Sequence, residues 1–380
     1  MKRQPAPTTI TMIATVAAAV LAALSLPLGM ALQRHLAPSV PEPAPAVFHG
    51  GAPATPPATR ALADRPEVRR FAEDMARRNG MDETAVRQML ASARIIRSVR
   101  TLVLPQALTP GARKNWTAYR TRFVEPVRVR AGVQFWQEHA DALQRAQERF
   151  GVPASIIAGV IGMETLYGQQ LGQFRVLDAL ATLAFDFPKE HPRAEQRQQY
   201  FARELEEYLL TAREQRIAPD SLRGSHSGDM GLPQFMPSSW TRYGVDFDGD
   251  GHIDLWSASD AIGSVANYLQ GHGWIAGLPA HYEITHRCSA HNLQRLLDAG
   301  IRPSFTQAEL RDAGVDVDQQ GDIPDGILLS LIALENGSSE PIHIAGTQNF
   351  LALTKYNPSR YYALAVIQLG QAIERARLAR

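Results

Sequence analysis

The sequence predicts a mainly α-helical fold. Apolar residues recur at helical spacing through most segments after Asp64. The run Ala154–Tyr167 reads ASIIAGVIGMETLY, a helix bounded by Pro153 and Gly168. Strand signals are confined to His281–Gln320, where a few short strands and turns are expected.

The elements follow in order. Lys2 and Arg3 precede Ile10–Leu32, a stretch without a charged residue. A basic start before an apolar run reads as a secretion signal or an uncleaved anchor, since ~20 apolar residues span a bilayer. The basic side stays in the cytoplasm, so the rest of the chain is expected outside it. Membrane contact is expected only through this segment. Pro38–Thr59 is rich in Pro, Ala and Gly and suits a spacer. Residues 1–63 are therefore read as leader and linker, and residues 64–380 as the folded region. Val68, Phe71, Ala72 and Met75 lie on one helix face, and Gly80 ends that helix. Asp82 caps a second helix over Met81–Leu90, and Val133–Phe150 reads as another. Gln198–Gln215 places Phe201, Leu205, Tyr208, Leu209 and Ala212 on one face. A Gly-rich loop, Gly224–Pro237, and an acidic loop, Asp246–Ser257, come next. Helices are expected over Ala258–Gln270, Ile327–Glu335 and Tyr361–Ala379. No internal repeat is present.

Composition narrows the function classes. The formal net charge is +1, from 39 basic and 38 acidic residues, so no nucleic-acid partner is expected. Cys288 is the single cysteine, which excludes an intramolecular disulfide and a cysteine-based zinc site.

Three segments carry chemistry. Every residue of the Ala154 helix before Glu164 is apolar or small. A carboxylic acid in such surroundings resists ionisation and can protonate a leaving oxygen. By pattern alone, an acidic residue facing water is the alternative. Gly159 and Gly162 thin this helix for close approach. In the Gly-rich loop, Ser225, Gln234 and Phe235 offer the hydroxyl, amide and aromatic groups that bind sugars; a structural loop is the alternative. In the acidic loop, Asp246, Asp248 and Asp250 stand at positions 1, 3 and 5 of a calcium-binding EF-hand, with Gly251 at its turn. His252 would give its carbonyl, and Asp254 stands at position 9. Position 12, normally a bidentate acid, is Ser257, and Asp260 beyond it is expected to be out of reach. Weak calcium binding is therefore expected, and an acidic turn without metal is the alternative.

Taken in order, further blocks identify a family resemblance. They are Asn115–Tyr119, Gly151-Val-Pro, Ile161-Gly-Met-Glu-Thr165, Leu177–Ala184, Gly231–Ser239, Asp260–Tyr268 and Thr354–Asn357. The chain resembles the lytic murein transglycosylase B family, glycoside hydrolase family 103, from about Arg65 onward. That resemblance implies a lysozyme-like catalytic core, over about residues 151–280, with flanking helical segments at 64–150 and 321–380 and small β or irregular additions. It implies that Glu164 is the catalytic acid and that Tyr119, Ser225, Gln234, Tyr268, Tyr356 and Asn357 line the substrate groove. It also implies cleavage of the β-1,4 bond between N-acetylmuramic acid and N-acetylglucosamine in peptidoglycan strands, in the periplasm. The muramoyl C6 hydroxyl attacks C1 and leaves a 1,6-anhydro end, so one carboxylate suffices and no cofactor is required. No acidic residue close to Glu164 in sequence reads as a partner for it. A muramidase using water, and a non-catalytic peptidoglycan-binding protein, are the alternatives. The sequence names no cell-wall assembly partner. It departs from the family in lacking a lipid-attachment cysteine, in Ser257, and in extra residues between Phe187 and Tyr200. There Lys189, Arg193 or Arg197 stands where some members carry a pair of arginines.

Overall fold

The computed structural model describes residues 62–105, 114–318 and 323–379. The segments read as leader (Lys2, Arg3, Ile10–Leu32) and linker (Pro38–Thr59), and Gln320, lie outside the described residues. No helix among the described residues is long and apolar enough to cross a membrane.

The chain forms two compact units that divide between Ser92 and Ala93. The smaller holds a short 3-10 turn, Leu62–Asp64, then α1 (Pro66–Asn79) and α2 (Glu83–Leu90). Gly80 closes α1 in the left-handed conformation, and Asp82 caps α2 by accepting the Ala85 N–H at 3.0 Å. Both ends match the sequence reading.

The larger unit opens with α3 (Arg97–Leu102), α4 (Trp116–Phe123), α5 (Pro126–Glu138) and α6 (Ala140–Phe150). The expected single helix over Val133–Phe150 is thus two helices. His139, at φ −123 and ψ 28, breaks it, and a new helix starts at Ala140. Next come α7 (Ala154–Thr165), β1 (Phe174–Arg175), α8 (Val176–Phe185), α9 (Ala194–Glu214), β2 (Arg223–Gly224), α10 (Pro237–Tyr243) and α11 (Ala258–Gly271). β1 and β2 pair antiparallel, Phe174 opposite Gly224, and so anchor the start of the Gly-rich loop.

Residues after Ala280 depart most from expectation. β3 (His281–His286), α12 (Ala290–Asp298), α13 (Gln307–Asp312), β4 (Val315–Val317), β5 (Ser330–Asn336) and β6 (Ser339–Gly346) form a small α/β lobe. Its antiparallel sheet runs in the order β4-β3-β6-β5. Tyr282, Leu296, Leu310, Val315, Leu329 and Ala345 fill its core. Two helices were missing from the expected strands and turns; Ser289 and a Thr306–Glu309 capping box start them. The helix expected over Ile327–Glu335 is instead largely the strand β5. A short apolar run fits either state, and pairing with β6 decides it. Gly337-Ser338, with Gly337 at φ 68, makes the two-residue hairpin turn between them, and Asn336 pairs with Ser339 across it. The chain then runs through α14 (Gln348–Tyr356) and α15 (Arg360–Leu378).

The core is built around α7. Ten of its twelve residues are buried, all except Ser155 and Glu164. A helix apolar on all sides belongs inside a protein. α15 crosses it at close range. A Cβ on Gly159 would lie 2.5 Å from the Val366 carbonyl oxygen, and one on Gly370 would lie 2.2 Å from that of Ser155. The reciprocal glycines let the two backbones touch, and so bring the side chains of α15 to the end of α7.

Candidate active site

α7 ends just after Glu164. Leu166 and Tyr167 have left-handed φ values of 49° and 56°. Two successive non-glycine residues in that region are uncommon and need support from their surroundings. The support is Thr165, whose Oγ1 donates to the Leu232 carbonyl at 3.2 Å and accepts the Gly168 N–H at 3.0 Å. The end of α7 is thereby tied to the Gly-rich loop.

Glu164 is half-buried. Tyr362 of α15 donates its hydroxyl to Glu164 Oε1 at 2.6 Å. Burial pushes the Glu164 carboxyl up to about 8; the Tyr362 hydrogen bond pulls it down, and the negative charge of Asp229 raises it further. Near neutral pH the group is therefore mostly the protonated acid.

Tyrosines surround it. Tyr119, Tyr268 and Tyr356 are held neutral chiefly by burial, and Glu164 adds to that in each case. The Tyr268 hydroxyl donates to the Lys355 carbonyl at 2.7 Å, and that of Tyr356 to the Pro233 carbonyl at 2.5 Å. The rings form a continuous wall: Tyr268 and Tyr356 meet edge to face at 4.8 Å, and Tyr356 stacks with Tyr362 at 6.4 Å. Phe235 packs against Tyr268 and Tyr356 at 5.4 and 5.8 Å. Such a wall offers faces to a sugar ring and keeps bulk water from the acid.

The other expected groove residues are engaged within their own loops. Ser225 Oγ donates to Asp229 Oδ2 at 2.6 Å. Gln234, at φ 50, donates its Nε2 to the Gly231 carbonyl at 2.9 Å. Asn357 is 2% exposed and its Oδ1 accepts the Ser359 N–H at 3.1 Å, setting the turn into α15. The fold thus brings Tyr119, Tyr268 and Tyr356 to Glu164, whereas Ser225, Gln234 and Asn357 shape the surrounding backbone.

The acidic loop differs from expectation in its ligand set: Asp260 joins Asp246 and Asp248, and the expected Asp250 and Asp254 are not in the cluster. Oxygens of Asp246, Asp248 and Asp260 lie within 4.8 Å of one another. Asp260, expected to be out of reach, is 1% exposed and organises the loop. Its Oδ1 accepts the Phe247 N–H and its Oδ2 the Asp254 N–H, both at 2.7 Å. The first turn of α11 points back under the loop, which sequence spacing alone did not reveal. Ser257 donates to Asp248 Oδ2 at 3.3 Å. Asp250 and Asp254 each accept a backbone N–H two residues on, from His252 and Trp256.

The sequence model of the family described as "Transglycosylase SLT domain" matches residues 63–371. The chain belongs to that family. It is 40% identical over 323 residues to the membrane-bound lytic murein transglycosylase B of Escherichia coli, covering 83% of this chain and 85% of that one. Among solved structures, it is similar to the soluble lytic transglycosylase SltB1 of Pseudomonas aeruginosa, with a TM-score of 0.73 and 40% identity, over 82% of this chain and 99% of that one. The E. coli lytic transglycosylase Slt35 in complex with calcium gives 0.71 and 38%, over 83% and 95%. P. aeruginosa SltB3 in complex with NAG-anhNAM-pentapeptide gives 0.69 and 29%, over 83% and 80%. The expected fold class, mainly α with a lysozyme-like core, is that of these transglycosylases.

Within this transglycosylase fold, sequence reading missed three residues. Tyr362 stands in a Tyr-Tyr pair on a helix whose partner was not known. Asp229 was one polar residue among the glycines of its loop. Asp260 seemed too far along the chain. Of the three basic residues after Phe187, Lys189 and Arg193 are exposed. Arg197 lies half-buried over the rings of Tyr200 and Phe201, at 5.5 and 4.9 Å, and interacts electrostatically with Asp229. The cluster Asp246, Asp248 and Asp260 fits a hard divalent cation. Burial keeps the Asp260 carboxyl up, Asp248 adds repulsion, and among the described residues no ion pair neutralises the three. The His252 carbonyl would complete such a set, and the bound ion would hold the loop against α11.

Proposed function

We propose that the chain is a peptidoglycan lytic transglycosylase in which Glu164 is the general acid and base. The observation that carries this is the Glu164 carboxyl, held largely protonated by burial, inside a wall of tyrosines, at the end of a rigid buried helix. Glu164 gives its proton to the oxygen between N-acetylmuramic acid and N-acetylglucosamine as the C1–O bond breaks. The muramoyl C6 hydroxyl then attacks C1, and its proton returns to Glu164. The substrate supplies the nucleophile, so the second catalytic carboxylate of ordinary glycosidases is not required. Tyr362 holds the carboxyl in place at both proton transfers. Tyr119, Tyr268 and Tyr356 line the groove, with Gln234, Ser225 and Asn357 fixing its loops. Asp246, Asp248 and Asp260 would hold a calcium ion as a structural brace of the acidic loop, with no part in the bond change. The N-terminal segment, read as a secretion leader or anchor, supports a periplasmic site, where the glycan substrate lies.

The test is product analysis on purified sacculi. Anhydromuramoyl ends are expected from the native protein, and Glu164→Gln should reduce cleavage by about 10²–10⁴-fold with an unchanged circular dichroism spectrum. Reducing ends would favour a hydrolytic muramidase, for which Asp229 is the available second carboxylate. No cleavage by folded protein would favour a binding role.

A further inference from the structure

We propose that Asp229 is a positioning residue of this site, acting through the Ser225 hydroxyl and through its own negative charge. The inference rests on the lytic transglycosylase reading above. Ser225 Oγ is the hub of the Gly-rich loop. It donates its one proton to Asp229 Oδ2 at 2.6 Å and accepts the N–H groups of Ser227 and Asp229 at 3.0 and 3.1 Å. A hydroxyl has one proton and two acceptor lone pairs, so Ser225 is fully used. Its orientation is dictated by Asp229. The loop closes on itself around this pair: the Ser225 N–H donates to the Asp229 carbonyl at 2.9 Å. A Cβ on Gly224 would lie 2.2 Å from that carbonyl oxygen, so the pinch demands the glycine.

Asp229 is 8% exposed, and titratable groups from three other elements act on it or feel it. From α9 come Arg197, Glu204 and Tyr200; from α7 comes Glu164; from α14 comes Tyr356. His226, in the same loop, is kept neutral by burial. Burial pushes Asp229 up to about 6; the Ser225 hydrogen bond and the half-buried Arg197 oppose that rise, and Glu204 adds to it. Around neutral pH, Asp229 is therefore the ionised carboxylate and Glu164 the protonated acid. Two carboxyl groups whose surroundings push them apart divide acid and anion roles between them. The anion favours the protonated form of Glu164, and it places negative charge near the sugar ring as positive charge develops at C1. Asp229 need not touch the substrate for either effect.

The experiment is the pH dependence of kcat and KM on a soluble N-acetylglucosaminyl–N-acetylmuramoyl oligomer. The native protein should give a bell with an acidic limb near pH 6, from Asp229, and an alkaline limb near pH 8, from Glu164. Asp229→Asn keeps an acceptor for Ser225 but carries no charge. It should lose the acidic limb and lower kcat on the order of tenfold, with KM changed by less than about twofold. Ser225→Ala removes the hydroxyl but leaves the carboxylate, so it should lower kcat and keep the acidic limb that Asp229→Asn loses. An acidic limb that survives Asp229→Asn, an acidic limb lost in Ser225→Ala, or an effect confined to KM would overturn the proposal. Should Asp229→Asn fail to fold by circular dichroism, the native profile decides: no acidic limb near pH 6 overturns it. Mass analysis of the native products separates the two readings. Without anhydro ends the lytic reading itself falls; with them, an unchanged Asp229→Asn profile removes only the role of Asp229.

Discussion

Replacing Tyr362 by Phe removes one oxygen and leaves the ring packed on α15. The lost interaction is the 2.6 Å hydrogen bond to Glu164 Oε1. A hydrogen bond to a charged acceptor is worth about 1.5–3 kcal/mol and one to a neutral acceptor about 0.5–1.5 kcal/mol. The hydroxyl thus favours the ionised over the protonated form of Glu164 by about 1 kcal/mol. At about 1.4 kcal/mol per pH unit, its removal should raise the Glu164 pKa by about 0.7 unit. The sign follows from the direction of the present effect, since this hydrogen bond lowers a carboxyl that burial has pushed up to about 8. The acid form persists to higher pH in the variant, and the alkaline limb of kcat moves upward. The plateau should fall, because the carboxyl has lost its main anchor. Initial rates on soluble glycan oligomers across the alkaline range measure both effects. A limb that stays put or moves down would refute the assignment of that limb to Glu164 or of its hydrogen bond to Tyr362.

Three further perturbations test other parts of the structure. Gly159→Ala gains about 1 kcal/mol of helix propensity but drives a Cβ to 2.5 Å from the Val366 carbonyl, where overpacking costs about 1–3 kcal/mol; a net loss of about 1 kcal/mol should appear in urea unfolding, and a gain would contradict the tight crossing of α7 and α15. Calcium at ten times its Kd should stabilise the native protein by about 1.4 kcal/mol in thermal melts against chelator, and Asp260→Asn should abolish the shift; no shift in the native protein would leave only an acidic turn. A reporter that functions only after export, fused after Arg380, should be active, and a silent fusion would refute the orientation set by Lys2 and Arg3.

The parts of the fold that were legible in the sequence are those decided locally. Gly80, Asp82, Gly151 and Pro153 mark helix boundaries by their own backbone preferences, and the boundaries lie where they indicate. Glu164 stood out because a lone acid ended an apolar run. Misreadings came where a distant partner decides. The run before Asn336 resembles a buried helix until β6 pairs with it, although Gly337-Ser338 was a local sign of the hairpin. Asp260 joins Asp246 only because α11 folds back beneath the acidic loop. Asp229 becomes visible only when α7 and α9 bring Glu164, Glu204 and Arg197 around it. The bland alternative for Ser225, a structural role in its loop, describes its hydrogen bonds in the structure as well as the sugar-binding expectation does.

Glu164 and the hydroxyl that holds it are 198 residues apart in the chain. Contacts of such separation form late, because a long loop must close before they contribute any stability. A chain emerging amino-terminus first has made α7 long before α15 exists to lie across it. Until that last helix arrives, the acid has neither its anchor nor the backbone contact at Gly159 and Val366. The surroundings of the acid are thus completed only when α15 packs across α7.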